Sequence, residues 1–464
     1  MIAGPLAPAP QSARAKSKGR LPFAFGWRAI AALLLGLLWL IPAWRSPRFL
    51  LGMLLWDVAI LFAWAFDLYR LPPPSDLEVR RAWSGPLSLG EPASATLEVS
   101  NAGNSALEIS LVDELPPVLR ESPPSLDLDV PARATVRQSY PVMPLSRGDI
   151  ATGRVFIRYG SPLGLAQRWA VASLSRTVRV LPDLVQARKF TLYLIRSRQV
   201  EMEKRRRRQR GQGRDFEALR EYRPGDDLRN VCWTATARRS QLTTRVFQVE
   251  RSQTVWIVLD AGRLMRTRVL DRVRHFSPEK LDYAVDAALS LAQVASHSGD
   301  RVGLLAYGRG IQQFINAGRG PLHVRQFVDS LAQVHTEAAE ANHARAVRTL
   351  LSRQTRRSLI VWLTDFAETA TTPEVINYAA HMTRRHLVVF AAIGQPDLTD
   401  LTRAIPQNEE DMFRHAAALE VVERRRRLLR MLRERGVLVI DINAPGLSAA
   451  LVNQYLEVKD RNLI

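Results

Sequence analysis

Two aspartates stand where carboxylates could bind a ligand. Asp260 follows the apolar run 254–259, and Asp365 follows the apolar run 358–364. Apolar runs that alternate with helical segments predict a parallel sheet, and such sheets bind ligands at the carboxyl ends of their strands. Carboxylate oxygens are ligands that suit Mg²⁺. The sequence therefore offers a candidate metal or partner site at one edge of a predicted sheet.

Motifs for other chemistry are missing from the sequence. There is no GxxxxGK[ST] and no HExxH, and His381 and His386 are not spaced as a helical zinc pair. The single cysteine, Cys232, precedes Trp233 in a segment expected to be packed, where a thiol is usually inert. We therefore predict a protein that is not an enzyme.

Charged residues are densest in segment 213–242, GRDFEALREYRPGDDLRNVCWTATARRSQL. Phe216, Leu219 and Tyr222 are three residues apart, which predicts a short helix with one apolar face before a turn at Pro224. Arginines and carboxylates alternate closely enough for a bidentate ion-pair network, which we favour over a solvated connector. The residues assigned to this structural segment are Arg220, Tyr222, Gly225, Asp226, Asp227, Arg229, Trp233 and Arg238.

The order G-R-D-F-x-x-L-R-E-Y-R-P-G-D-D-x-R-x-x-x-W-x-x-x-A-R resembles the signature of the bacterial family catalogued as domain of unknown function 58. The resemblance implies two membrane helices, a β-rich domain and, after the signature, a von Willebrand factor A-like domain. It also implies a partner, because relatives are often associated with MoxR-type AAA+ ATPases thought to act in assembly or maturation of proteins.

Von Willebrand A-like domains carry a metal-ion-dependent adhesion site in which a strand ends in D-x-S-x-S. Here Gly262 and Leu264 replace both hydroxyl residues, and Arg263 stands between them. We therefore favour an Arg–carboxylate cluster over a Mg²⁺ site at Asp260 and Asp365, and predict no cofactor. The partner-facing edge would then consist of Asp260, Gly262, Arg263, Leu264 and Asp365.

The region 254–464 is expected to form that α/β domain, a Rossmann-type, mostly parallel sheet covered by helices on both faces. Its predicted strands are 254–259, 301–307, 311–315, 358–364, 386–393 and 437–441, and its predicted helices include 280–298, 322–334, 344–351, 373–383 and 411–435.

Two apolar runs in region 23–70, residues 23–41 and 49–66, each have about the length of a membrane helix. Residues 1–22 are basic and predict a disordered tail. Basic residues flank the outer ends of the hairpin more than its connector, which predicts that both termini are cytoplasmic. We therefore expect a bacterial inner-membrane protein whose soluble domains face the cytoplasm.

The remaining regions are a predicted β-sandwich at 71–182, with turn signals about every ten residues, and an Arg-rich linker with the signature segment at 183–253. The formal net charge of +20 predicts an anionic neighbour. The basic run Lys204–Arg210 lacks interleaved aromatic residues, which favours proximity to anionic lipid, or equally docking on an acidic protein, over nucleic acid.

Together these patterns predict a membrane-anchored adaptor that binds a AAA+ ATPase. The alternatives are a Mg²⁺-dependent adhesion-type binder of an acidic ligand and a basic-patch binder of lipid or nucleic acid.

Overall fold

A computed structural model describes residues 8–17, 22–44, 46, 48–183, 215–222, 231–248, 253–269, 276–365, 372–394, 396–461 and 463. The chain divides into two compact units, Met1–Asp183 and Leu184–Ile464. Each unit mixes helices with strands.

The N-terminal unit contains an apolar helical hairpin. Its first arm is α1 (Trp27–Gly36), a 3-10 turn and α2 (Leu40–Ala43), and its second arm is α3 (Arg48–Arg70). Within the described residues, only α3 is long and apolar enough to cross a membrane, with a mean hydropathy of 2.1 over its best 18 residues. The first arm is shorter than predicted because residues 23–25 extend as a strand before the helix begins.

The rest of this unit is rich in strands, which form three sheets around one hydrophobic core, and we call this part the sandwich. One sheet has the order β1-β4-β6-β9, the second β2-β12-β11-β7-β8 with β3 also on β12, and a smaller sheet has the order β10-β13-β5. The strands are β1 (Gln11–Arg14), β2 (Lys16–Ser17), β3 (Phe23–Phe25), β4 (Leu77–Trp83), β5 (Leu87–Ser88), β6 (Ala93–Asn101), β7 (Leu107–Asp113), β8 (Ser125–Val130), β9 (Thr135–Val142), β10 (Gly148–Thr152), β11 (Val155–Gly160), β12 (Ala166–Ala172) and β13 (Arg176–Leu181).

The predicted disorder of residues 1–22 is wrong for residues 11–17. Strand β1 pairs antiparallel with β4, with Gln11 opposite Arg81. The side chain of Gln11 accepts a hydrogen bond from Arg81 Nη1 at 3.2 Å. The partner strand lies some seventy positions along the chain, so local composition could not reveal this pairing.

The described part of the C-terminal unit starts with an antiparallel ribbon of β14 (Asp215–Glu221) and β15 (Thr243–Gln248), with α4 (Trp233–Arg239) between them. The predicted helix over Phe216–Tyr222 is therefore wrong. Three residues at helical spacing are a weak helix signal in so short a segment. Here the segment pairs instead with β15, whose sequence TTRVFQ has a high β propensity.

The main sheet of this unit has six strands in the order β18-β17-β16-β19-β20-β21. Every neighbouring pair is parallel except β17–β18. The strands are β16 (Thr254–Asp260), β17 (Arg301–Tyr307), β18 (Ile311–Gly318), β19 (Leu359–Thr364), β20 (Leu387–Gly394) and β21 (Leu438–Asn443). The order reverses between β16 and β19, where the carboxyl ends of a doubly wound sheet form a crevice.

Helices cover this sheet, as the alternating pattern predicted. The helices α5 and α11 pack together, whereas α10 packs on α8 and β21. The helices are α5 (Lys280–His297), α6 (Pro321–Gln333), α7 (His343–Arg353), α8 (Thr372–Thr383), α9 (Pro396–Arg403), α10 (Glu409–Glu434) and α11 (Leu447–Asp460). The four central strands, β16, β17, β19 and β20, are almost wholly buried, which explains why their sequences are continuous apolar runs.

Candidate functional site

Asp260 and Asp365 lie at the carboxyl edge of the sheet, next to its point of reversal. Strands β16 and β19 are parallel neighbours, with Leu259 beside Leu363, so Asp260 and Thr364 meet where the strands end. The Thr364 hydroxyl donates to Asp260 Oδ2 at 2.5 Å, and the Gly262 amide donates to Oδ1 at 2.8 Å. Burial nevertheless raises the pKa of Asp260. The structure thus brings the two predicted aspartates to one edge.

The charge of Asp365 is neutralised by two cations from remote helices. Lys280 Nζ lies 2.5 Å from Asp365 Oδ2, and Arg425 Nη1 lies 2.8 Å from Oδ1. The same guanidinium donates to Asp441 in β21, with Nη2 at 2.9 Å from Oδ1. We call Lys280, Asp365, Arg425 and Asp441 the edge ion network. It joins α5, α10, β21 and the end of β19, and its four formal charges cancel.

A buried polar layer lies beside this network. The Tyr307 hydroxyl accepts a hydrogen bond from Trp362 Nε1 at 2.6 Å and lies 2.9 Å from His343 Nδ1. Burial lowers the pKa of His343, although the nearby Asp260 charge opposes that shift. Burial also raises the pKa of Tyr307, so a neutral phenol and a neutral imidazole are the favoured forms. This layer links the end of β17 to β19 and to the start of α7.

Arg263 does not lie between the two aspartates, contrary to the predicted cluster. Its Nη2 lies 3.3 Å from Glu340 Oε1, and the two side chains are 54% and 47% exposed. The Arg263 amide donates to Ala339 O at 2.9 Å, which holds the loop after β16 against the loop before α7. Leu264 is partly buried beside it. Arg263 and Glu340 are therefore solvent-facing groups of this edge.

The residues present do not fit Mg²⁺. The ion needs near-octahedral oxygen ligands at about 2.1 Å, whereas a protonated lysine contacts one oxygen of Asp365 and an arginine the other. A Cβ at Gly262 would lie 2.8 Å from the Ala341 nitrogen, so the serine of the adhesion motif would require the crossing loop to move. No group of three or more metal-binding side chains occurs within the described ranges.

The signature segment is only partly described. Tyr222 follows β14, and its amide donates to Leu242 O at 2.8 Å. Arg220 belongs to that strand, while Trp233 and Arg238 are exposed on α4 rather than packed. Cys232 is buried, as expected. The predicted roles of Gly225, Asp226, Asp227 and Arg229 lie outside the described residues.

Sequence reasoning missed the cations of the edge ion network. Arg425 belongs to the basic run Arg424–Arg427, and such a run on a helix is usually a solvated face, yet the Arg425 side chain is largely buried. Lys280 carried a usable signal, because a cation in the first turn of a helix opposes the helix dipole unless an anion compensates it. That anion is Asp365.

A family described as "Protein of unknown function DUF58" matches residues 218–424. This match covers most of the signature segment and much of the α/β unit. It agrees with the family resemblance of the signature.

The curated relatives are themselves uncharacterised. "Uncharacterized protein YeaD" of Bacillus subtilis (strain 168) is 24% identical over 210 residues, 45% of this chain and 48% of the relative. "Uncharacterized protein Rv1480" of Mycobacterium tuberculosis (strain ATCC 25618 / H37Rv) is 27% identical over 158 residues, 34% of this chain and 48% of the relative. The chain thus spans about half the length of the curated relatives it matches.

Solved structures give weaker likenesses. Proximal thread matrix protein 1 from the mussel byssus has a TM-score of 0.29 at 10% identity, covering 44% of this chain and 46% of its own. An "Uncharacterized Membrane Spanning Protein" from Vibrio fischeri has a TM-score of 0.17 at 13% identity, covering 44% of this chain and 96% of its own. These scores are too low to define the fold or the function.

Proposed function

We propose that this protein is a membrane-anchored adaptor whose α/β unit binds another protein, with a MoxR-type AAA+ ATPase as the partner. In this proposal the chain catalyses no reaction itself. Its soluble parts face the cytoplasm, and the partner acts in assembly or maturation of further proteins.

The edge ion network is the observation that carries this proposal. In a doubly wound sheet the carboxyl edge is where a ligand or reacting group would bind. Here the carboxylate of Asp365 is occupied on both oxygens by cations of the same chain. Among the described residues of this edge, Arg263 and Glu340 form an exposed polar pair, which suits contact with a protein.

The strand order supports a von Willebrand A-like assignment for this unit, since the sheet is doubly wound with one antiparallel edge strand, β18. In such a domain the loops at the carboxyl edge would contact the partner. The edge of this protein would do so without metal, because the chain supplies the positive charge through Lys280 and Arg425.

Membrane attachment is supported by α3, whose most apolar window has no buried residue. Lipid is the solvent that such a surface favours. The basic residues outside the hairpin support a cytoplasmic location for both units.

A matched pair of variants tests the adaptor proposal. Arg263→Glu reverses one charge at the edge, and Arg154→Glu reverses a charge in the sandwich, where Arg154 and Glu114 form a pair with nearly the same exposures, 52% and 48%. The tagged full-length chain is captured from native membranes in mild detergent with nucleotide, and bound proteins are identified by mass spectrometry.

We expect a AAA+ ATPase to be recovered with the wild type and with Arg154→Glu, and to be depleted with Arg263→Glu. Recovery should persist in EDTA when a non-hydrolysable nucleotide that binds without Mg²⁺ is used, since the edge requires no metal. Recovery of no ATPase under any nucleotide condition, or equal recovery with both variants, would contradict the proposal.

A further inference from the structure

The end of the apolar helix α3 is built into the sandwich. Asp67, in its last turn, is buried, and its Oδ1 accepts a hydrogen bond from the Ser161 hydroxyl at 2.6 Å. Its Oδ2 accepts one from the Ala166 amide at 2.9 Å, and Arg168 Nη2 donates to Leu68 O at 3.0 Å. The helix therefore enters the sandwich directly, without a flexible linker.

The start of the other helical arm is fixed to the same loop. The Gly26 amide donates to Leu165 O at 2.7 Å. Arg28 Nη1 donates to Pro162 O at 2.9 Å and to Leu163 O at 3.3 Å. Both arms of the hairpin thus meet the loop between β11 and β12, residues 161–165, and this loop lies where an inserted hairpin would leave the hydrocarbon.

Exposed apolar side chains surround this junction. Phe25 stacks on Trp64 of α3 with ring centroids 4.5 Å apart, and both Phe25 and the loop residue Leu163 remain exposed. The exposed apolar and aromatic side chains of the junction are Phe23, Phe25, Trp27, Tyr69 and Leu163. We call this set the collar. Water is a poor solvent for such a surface, whereas aromatic side chains are enriched at the boundary between lipid and water.

We propose that the collar lies in the headgroup layer of the membrane that the hairpin enters, so that the sandwich rests on lipid. The collar is continuous with α3, whose own surface is exposed and apolar. From Trp64 to Arg70 the helix rises about 9 Å, comparable to the interfacial layer on one side of a bilayer. Arg28 and Arg70 add positive charge beside the apolar groups, where lipid phosphates lie.

Spin labels on the full-length chain test this proposal, which rests on the membrane attachment proposed above. Single cysteines replace Leu163 in the collar, Leu54 in α3 and Val112 in β7, in a Cys232→Ser background. Val112 is the matched control, an aliphatic residue that is 39% exposed against 54% for Leu163. Val112 lies opposite Phe156, near the start of β11, whereas loop 161–165 follows the other end of that strand.

The labelled proteins are reconstituted into phosphatidylethanolamine–phosphatidylglycerol nanodiscs, and collisions with oxygen and with a water-soluble nickel chelate are measured by power saturation. We expect the oxygen-to-nickel ratio at Leu163 to be several-fold above that at Val112 and below that at Leu54. Quenching of a fluorophore at the same cysteine by headgroup-labelled lipid gives a second measure of depth.

Distinct outcomes separate the possible failures. A lipid-exposed label at Leu54 with a water-exposed label at Leu163 would overturn the collar and leave the anchor intact. Water exposure at both positions would overturn the membrane attachment as well. A label at Leu163 that is shielded from both reagents and broadened by a second spin would show a contact between copies of the chain, which would also overturn the proposal.

Discussion

Replacing Lys280 with Met should destabilise the C-terminal unit by removing one charge from the edge ion network. Methionine keeps the long, unbranched shape of the lysine side chain but removes its charge, and Asp365 then lacks the Lys280 Nζ that lies 2.5 Å away. Removing one partner of a buried ion pair costs about 3–5 kcal/mol. Because Arg425 stays 2.8 Å from the same carboxylate, we expect the lower end, about 3 kcal/mol.

Hydrogen exchange of the full-length chain measures this loss locally, which matters because two units need not unfold together. A loss of about 3 kcal/mol corresponds to roughly hundredfold faster exchange, since each 1.4 kcal/mol is a factor of ten. Peptides from α5 and β19 should show it. Arg414→Met is the control, because the Arg414–Glu410 pair is exposed and worth about 0.5 kcal/mol at most.

The double variant Lys280→Met/Asp365→Asn shows whether the lost protection comes from the unpaired charge of Asp365 or from lost packing of Lys280. With both charges removed, little uncompensated charge stays buried, and most of the protection should return. Unchanged protection in Lys280→Met would refute the importance of the pair. Losses that simply add in the double variant would show that Lys280 acts through packing alone.

Three other expectations follow from the same structure. Gly262→Ser places a Cβ 2.8 Å from a backbone nitrogen, so it should cost about 1–3 kcal/mol and give no Mg²⁺-dependent rise in melting temperature. Burial lowers the pKa of His386 from its ordinary value of 6.5. The stability that its neutral form contributes is therefore complete above pH 6.5 and is lost as the pH falls through the pKa of the folded state. His386→Phe should flatten that loss of stability in acid, measured by hydrogen exchange of peptides from β20. Arg81→Met breaks a fully buried pair with Asp113 and should cost about 3–5 kcal/mol in the sandwich, whereas Arg179→Met breaks a half-exposed pair and should cost at most about 1 kcal/mol, both measured by exchange of sandwich peptides.

Much of the C-terminal unit could be predicted because its strands are buried on both faces. A short, continuous apolar run such as RVGLLAY has the length of a strand, and β17 occupies the predicted residues 301–307. The positions of Asp260 and Asp365 followed from the same logic, since any residue that ends a parallel strand lies at the carboxyl edge.

The partners of those aspartates could not be predicted, because they depend on contacts between distant elements. Lys280 and Asp365 are separated by 85 residues, and Arg425 lies 60 residues beyond Asp365. In the sequence Arg263 is the nearest arginine to Asp260, but the backbone of its loop directs it to Glu340. Sequence proximity therefore identified a cation at this edge but assigned it to the wrong residue.

On the proposed von Willebrand A-like assignment, the residues at this edge form a chemically coherent set. A metal site that recruits a partner's carboxylate needs hydroxyl ligands and an open coordination position. This chain has Gly262 and Leu264 at the hydroxyl positions, and it supplies Lys280 and Arg425 to the remaining carboxylate. A lysine or arginine side chain offers no coordination position and cannot be removed by a chelator, so the edge ion network balances the charge of Asp365 without metal. In the proposed adaptor, recognition at this edge would come from the shape and charge of its exposed groups, which makes Arg263 and Glu340 more informative targets than the buried aspartates.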